Sequence, residues 1–119
     1  MKPIDKHLVE HYTWGDNCEG WRLMNNNNLS VIQERMPANT TEKLHYHSKA
    51  QQFFYILKGT ATFIIENEKH VVQQNQGIQI LANSRHKIIN ETESDIEFLV
   101  ISNPATNNDR ININGDTSH

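Results

Sequence analysis

Two histidines one residue apart, His45 and His47, are followed by Gln52, an apolar run from Phe53 to Leu57, and Gly59. A third histidine, His86, comes after Gly77, and Asn90 stands four residues beyond it. Side chains alternate faces along an extended strand, so His45 and His47 point the same way and Tyr46 points away. Neutral imidazole is a favoured ligand for divalent metals. Three protein donors with one coordination position left open is the layout of a metal that works on a substrate rather than one that braces a fold. By the same parity Gln52, Phe54 and Ile56 share one face of the next strand, placing an amide oxygen at the strand start above an apolar wall. His86, Ile88 and Asn90 repeat that arrangement. A His-X-His pair taken alone is more often two surface or hydrogen-bonded histidines than a metal clamp.

The elements that must carry these residues are short. From Leu29 onward, segments rich in Val, Ile, Phe and Tyr alternate with Asn, Gly, Glu and Ser, the rhythm of an all-β domain. Strands are expected at Leu29 to Met36, Lys43 to His47, Gln51 to Leu57, Thr60 to Glu66, His70 to Gln74, Ile78 to Leu81, His86 to Asn90 and Ile96 to Ser102. Pro37-Ala38-Asn39 reads as a bend, Glu66-Asn67-Glu68 as a hairpin tip and Asn75-Gln76-Gly77 as a turn. Antiparallel strands this short need closure, so a jelly-roll or barrel-like sandwich is preferred to an open sheet. Residues 1–28 read as an irregular N-terminal arm, 29–103 as the barrel and 104–119 as a polar C-terminal tail, in which Ile111 and Ile113 could form one short edge strand.

The spacing His45, His47, Gln52, Gly59 and the later pair His86, Asn90 together resemble the two motifs of the cupin superfamily. The first motif carries glutamate where this chain has Gln52. In the second, Asn75, Leu81 and Asn83 stand where Gly, Pro and Gly are usual. The resemblance spans roughly Leu29 to Ser102 and implies a small double-stranded β-helix, the jelly-roll barrel of that family. It also implies a divalent metal, iron, manganese, nickel or zinc, held by His45, His47 and His86, with Gln52 in the position of the fourth ligand. Glutamine supplies a neutral carbonyl oxygen and N–H donors but no charge. Three imidazoles and an amide therefore leave the cation at full charge, which favours an acidic or chelating small molecule. Phe54, Ile56 and Ile88 are the expected apolar lining of its pocket, while Asn90 is expected to hold a strand or turn by hydrogen bonding.

Bulk properties narrow the partners. The chain has 119 residues, enough for one core without disulfides, and Cys18 is its only cysteine. Lys and Arg total 11 against 14 acids, for a net charge of −3, and form no basic stripe, which disfavours nucleic acid. Phe53 to Leu57 is far short of the about 20 apolar residues that cross a bilayer, so no membrane partner and a cytoplasmic location are expected. Phe53, Tyr55 and Leu57 make the second face of their strand apolar as well. Either a second copy, giving a homodimer, or the N-terminal arm is expected to cover it.

Three functions compete. The first is a metal-dependent enzyme of dioxygenase, isomerase or decarboxylase type. The second is a non-catalytic module that binds a small molecule or sugar, with Gln52 marking lost catalysis. The third, a metal-free sugar-nucleotide epimerase or isomerase, resembles a His base paired with a Tyr acid and fits less well, because Tyr46 and Tyr55 have the wrong parity. Trp14 and Trp21 either wall the pocket or anchor a core or interface, and Cys18 is assigned a packing role.

Overall fold

Alternating burial along short segments organises the chain into strands and almost nothing else. The computed structural model describes residues 1–114. In chain order it forms a 3-10 turn at Lys6–Leu8 and the strands β1 His11–Trp14, β2 Cys18–Asn25, β3 Ser30–Met36, β4 Thr40–Thr41, β5 His45–His47, β6 Gln51–Lys58, β7 Ala61–Ile65, β8 Glu68–Val72, β9 Gly77–Ile80, β10 His86–Asn90, β11 Ile96–Asn103 and β12 Arg110–Asn112. All eight segments expected from Leu29 onward are present, with ends displaced by no more than about two residues. No helix among the described residues is long and apolar enough to cross a membrane.

Two antiparallel sheets form a jelly-roll. One runs β1-β2-β3-β11-β6-β9 and the other β12-β5-β10-β7-β8, with β4 pairing β10. Their inner faces meet in a core that includes Met36, Phe54, Ile56, Phe63, Ile88 and Phe98. On β6 the side chains of Gln52, Phe54 and Ile56 are buried while Gln51 and Phe53 are exposed, as the period of two requires.

Residues 1–28, expected as an irregular arm, are mostly regular, which corrects that expectation. β1 and β2 form a hairpin in register from His11↔Trp21 to Trp14↔Cys18, and β2 continues the sheet by pairing β3. The polar residues that suggested a loop are its solvent side and its tip: Gly15 and Asn17 take φ of 53° and 61°, which Gly and Asn tolerate. Gly20 is buried and faces Tyr12 across the hairpin, and a side chain there would overlap the Tyr12 ring. The outer face of this sheet is partly covered from the N-terminus. Lys6 lies 4.6 Å from the Trp21 ring centre and 3.9 Å from Glu97, so Trp21 is buried, whereas Phe53 stays 40% exposed.

The departures from the second motif keep its backbone shape. Asn75 and Asn83, where Gly is usual, have φ of 65° and 69°, the left-handed region that asparagine enters at small cost. Gly59 of the first motif has φ of 85° and sits against Ile96, so it has neither the conformation nor the room for a side chain.

Candidate metal centre

Strand register, more than sequence spacing, assembles the histidines. β5 carries His45 and His47 on one face, and β10 lies beside it with His86 directly opposite His45. All three side chains are buried. Ring centres are 4.4 Å apart for His45 and His86, 5.1 Å for His45 and His47, and 6.0 Å for His47 and His86. One ring nitrogen from each lies within 4.8 Å of the others.

Each ring is held by its Nδ1. His45 Nδ1 donates to the Lys43 carbonyl and His86 Nδ1 to the Ser84 carbonyl, both at 2.8 Å. A carbonyl only accepts, so Nδ1 carries the proton and Nε2 keeps its lone pair for a ligand. His47 Nδ1 is 2.9 Å from Asp109 Oδ1, a buried carboxylate whose other oxygen accepts from the backbone N–H groups of Lys49 and Ala50. Sequence spacing missed Asp109, which lies 62 residues from His47 in the segment expected as a polar tail. β12, directly after it, pairs β5 and places Arg110 opposite His47, so this part of the tail belongs to the site. Ile111 is in that strand, while Ile113 lies just past its end. Replacing Asp109 with alanine is expected to weaken metal binding roughly 10- to 100-fold by freeing the His47 ring. Zinc titration of the variant checks this.

Burial keeps the cluster uncharged. It pushes His45 down to about 2, with His86 adding to the effect, and His86 down to about 4 against the opposing pull of the Ser84 carbonyl. Burial also lowers His47, although Asp109 acts in the other direction. These depressed values mean the rings stay neutral as pH falls through the usual histidine range. Ring 15N shifts of His45 and His86 in metal-free protein are therefore expected to report neutral imidazole at about pH 5, and a charged ring there contradicts this account.

Gln52 lies on β6 with its Nε2 donating to Ser102 Oγ at 3.1 Å. Its Oε1 is buried and lacks a hydrogen-bond partner, and so is His86 Nε2. Each is costly to bury without a partner unless a ligand completes it. A cavity of about 560 Å³ opens here, lined by His45, His47, Gln52 and Phe54 from the expected set. Ile56 and Ile88 are not part of its wall. They are 0% and 1% exposed and sit in the core, because the correct parity does not set depth along the barrel.

Most of the rest of the wall is polar, and of it only Trp14 was expected. Trp14 lines it but Trp21 does not. Tyr12 supplies the phenol, where Tyr46 and Tyr55 do not reach. Glu34, Glu42, Arg22 and Arg110 also face it. Burial raises the Glu42 carboxyl to about 8, with Arg110 opposing. The signal for Glu34 was present in the sequence: it occupies an inward position on β3, between Ile32 and Met36. Asn90 is fully buried and binds only structure, its Nδ2 shared among the carbonyls of Met36, Pro37 and Ser94. Cys18 is buried in the core, in keeping with packing.

Comparison with known proteins agrees with this architecture. The chain is 29% identical over 75 residues to an uncharacterized protein of Methanocaldococcus jannaschii, a match covering 63% of this chain and 60% of that relative. It superimposes on the polyketide cyclase RemF of Streptomyces resistomycificus with a TM-score of 0.80 at 15% identity, over 95% of this chain and 85% of that one. A cupin-superfamily sugar phosphate isomerase of Silicibacter pomeroyi gives 0.74 at 18%, over 87% and 76%. The nucleoside dehydratase Pac13 gives 0.79 at 12%, over 95% and 91%. At such identities these structures speak for the fold alone. Residues 32–102 match the cupin domain pattern (Cupin_2), a stretch running from β3 into β11 that holds all three histidines and Gln52. With more than half of its length matched, the chain belongs to the cupin family.

Proposed function

We propose that the chain holds one divalent cation, iron, manganese, nickel or zinc, through Nε2 of His45, His47 and His86, with Gln52 Oε1 as a fourth donor, and acts as an enzyme on a small acidic or chelating molecule. The observation that carries this reading is the set of three buried, converging imidazoles whose Nδ1 atoms are each engaged by an oxygen. The partnerless His86 Nε2 and Gln52 Oε1 are the atoms such a cation would satisfy. When bound, the cation supplies Lewis acidity toward substrate oxygens.

The chain's own residues account for the rest of the reading. Phe54, Ile32 and Val100 give the cavity an apolar wall that excludes water and strengthens charge interactions inside it. Arg22 and Arg110 face the same space and orient an anionic group. The titratable Glu34 and Glu42 facing the same cavity support catalysis over passive binding.

The test begins with metal-stripped protein titrated separately with Zn²⁺, Mn²⁺, Ni²⁺ and Fe²⁺. One ion per chain is expected for at least one metal, and failure to take up any of them stoichiometrically overturns the reading. The loaded protein is expected to bind oxalate roughly tenfold or more tightly than its neutral analogue oxamide, because the donor set leaves the cation's charge uncompensated. Equal affinities reject the acidic-ligand part.

A further inference from the structure

We propose that Glu34 is the acid–base group of this cavity, exchanging a proton with a ligand bound in the space it shares with His45 and His47, and that Tyr12 positions it. The proposal rests on the metal-site reading only for where the ligand sits.

The proposed donor set brings no carboxylate, since Gln52 is an amide and Asp109 is engaged with Nδ1 of His47. Glu34 faces the cavity from β3, in the inward register between Ile32 and Met36, where an acid is expensive unless it is used. Its Oε2 accepts from the Tyr12 hydroxyl at 2.7 Å. Tyr12 is held on two sides: its ring covers the space that Gly20 leaves vacant, and the Arg22 guanidinium sits 4.5 Å from the ring centre. The phenol therefore aims at Glu34 without depending on the ligand.

Glu42, the other half-buried carboxyl of this wall, is committed elsewhere. Its Oε1 accepts from the Ile88 backbone N–H at 3.1 Å, and its Oε2 is 3.8 Å from Arg110. The charged and titratable groups around Glu34 include Tyr12 from β1, Cys18 and Arg22 from β2, Arg110 from β12 and Glu42 from the segment before β5. Burial outweighs the opposing Tyr12 hydrogen bond and the two arginines and raises the Glu34 carboxyl to about 7, where it can both accept and return a proton. The step is a proton transfer. A C–H or O–H proton of the ligand moves to a carboxylate oxygen of Glu34, the electron pair of that bond stays on the ligand, and the reverse transfer delivers the proton to the product.

The first test uses the metal-free 119-residue chain with 13C-labelled glutamate carboxyls. One resonance is expected to titrate between about pH 6 and 8 and to be missing from Glu34→Gln. In Tyr12→Phe it should titrate higher, because the lost hydrogen bond favoured the charged form. The second test measures oxalate binding to Zn²⁺-loaded protein by calorimetry across that pH range. A bound dianion favours protonated Glu34, so affinity should fall as pH rises, by up to about tenfold per unit, and Glu34→Gln should flatten the slope.

A Glu34 resonance that titrates only in the ordinary carboxylate range, or an unchanged slope in Glu34→Gln, overturns the proposal. If Glu34→Gln does not fold, the shift in Tyr12→Phe decides. If wild-type protein takes up no zinc, the metal-site reading fails by itself, and the metal-free titration then decides on Glu34.

Discussion

Substituting His86 with alanine is expected to abolish stoichiometric metal uptake while leaving the chain folded. His86 is the donor that the proposed centre takes from β10, and its Nε2 is a buried acceptor with no protein partner. Structural zinc binding is worth about 10–16 kcal/mol over a full ligand set, so losing one of three imidazoles should weaken affinity roughly a hundredfold or more. His45→Ala and His47→Ala should do the same. Retained one-to-one binding of Zn²⁺ in all three variants, measured by calorimetry, defeats the proposed centre. Asp109→Ala provides the contrast: it removes the carboxylate that orients His47 and leaves all three donors in place, so its loss should be the smaller one.

Asn90→Ala should have the opposite profile, with a large loss of stability and no direct loss of a ligand. Asn90 is 0% exposed and ties three stretches together. Its Nδ2 reaches the carbonyls of Met36 and Pro37 at 3.0 Å and Ser94 at 2.8 Å, and its Oδ1 accepts from the N–H and hydroxyl of Thr92. Truncation leaves these buried groups unpaired at roughly 3 kcal/mol or more, since the network fails as a unit. For a domain of this size that corresponds to a melting temperature lower by roughly 10 °C or more. A shift of only a degree or two, measured by calorimetric scan, would show that the clamp is dispensable.

These two residues were readable from the chain because both sit on one face of β10, four residues apart, at the spacing of the second cupin motif. The parity of β6 and β10 separates Gln52 from Phe53 and His86 from Lys87 without coordinates, and the cupin spacing relates the two strands. The hairpin of β1 and β2 was not readable. Its tip is polar, and its buried residues are Cys18 and Gly20 on the inner face and Trp21 on the outer one, which match no simple apolar alternation. Asp109 escaped for a related reason: a single acid among Asn and Thr carries no local signal, and its meaning comes from His47, which sits 62 residues earlier.

Local pattern thus determined the class of fold and the inward face of each core strand, because side-chain direction along a strand follows from backbone geometry alone, while the cupin spacing named the three imidazoles. Tertiary structure decided depth and company. It sank Ile56 and Ile88 into the core and raised Phe54 to the cavity wall. It also brought Tyr12, Glu34, Glu42 and Arg110 to the same opening from four separate segments. Which side chains share a cavity depends on the register and stagger between strands that are distant in the chain. Burial and hydrogen bonding over the whole barrel set that register together, and no short window of sequence contains it.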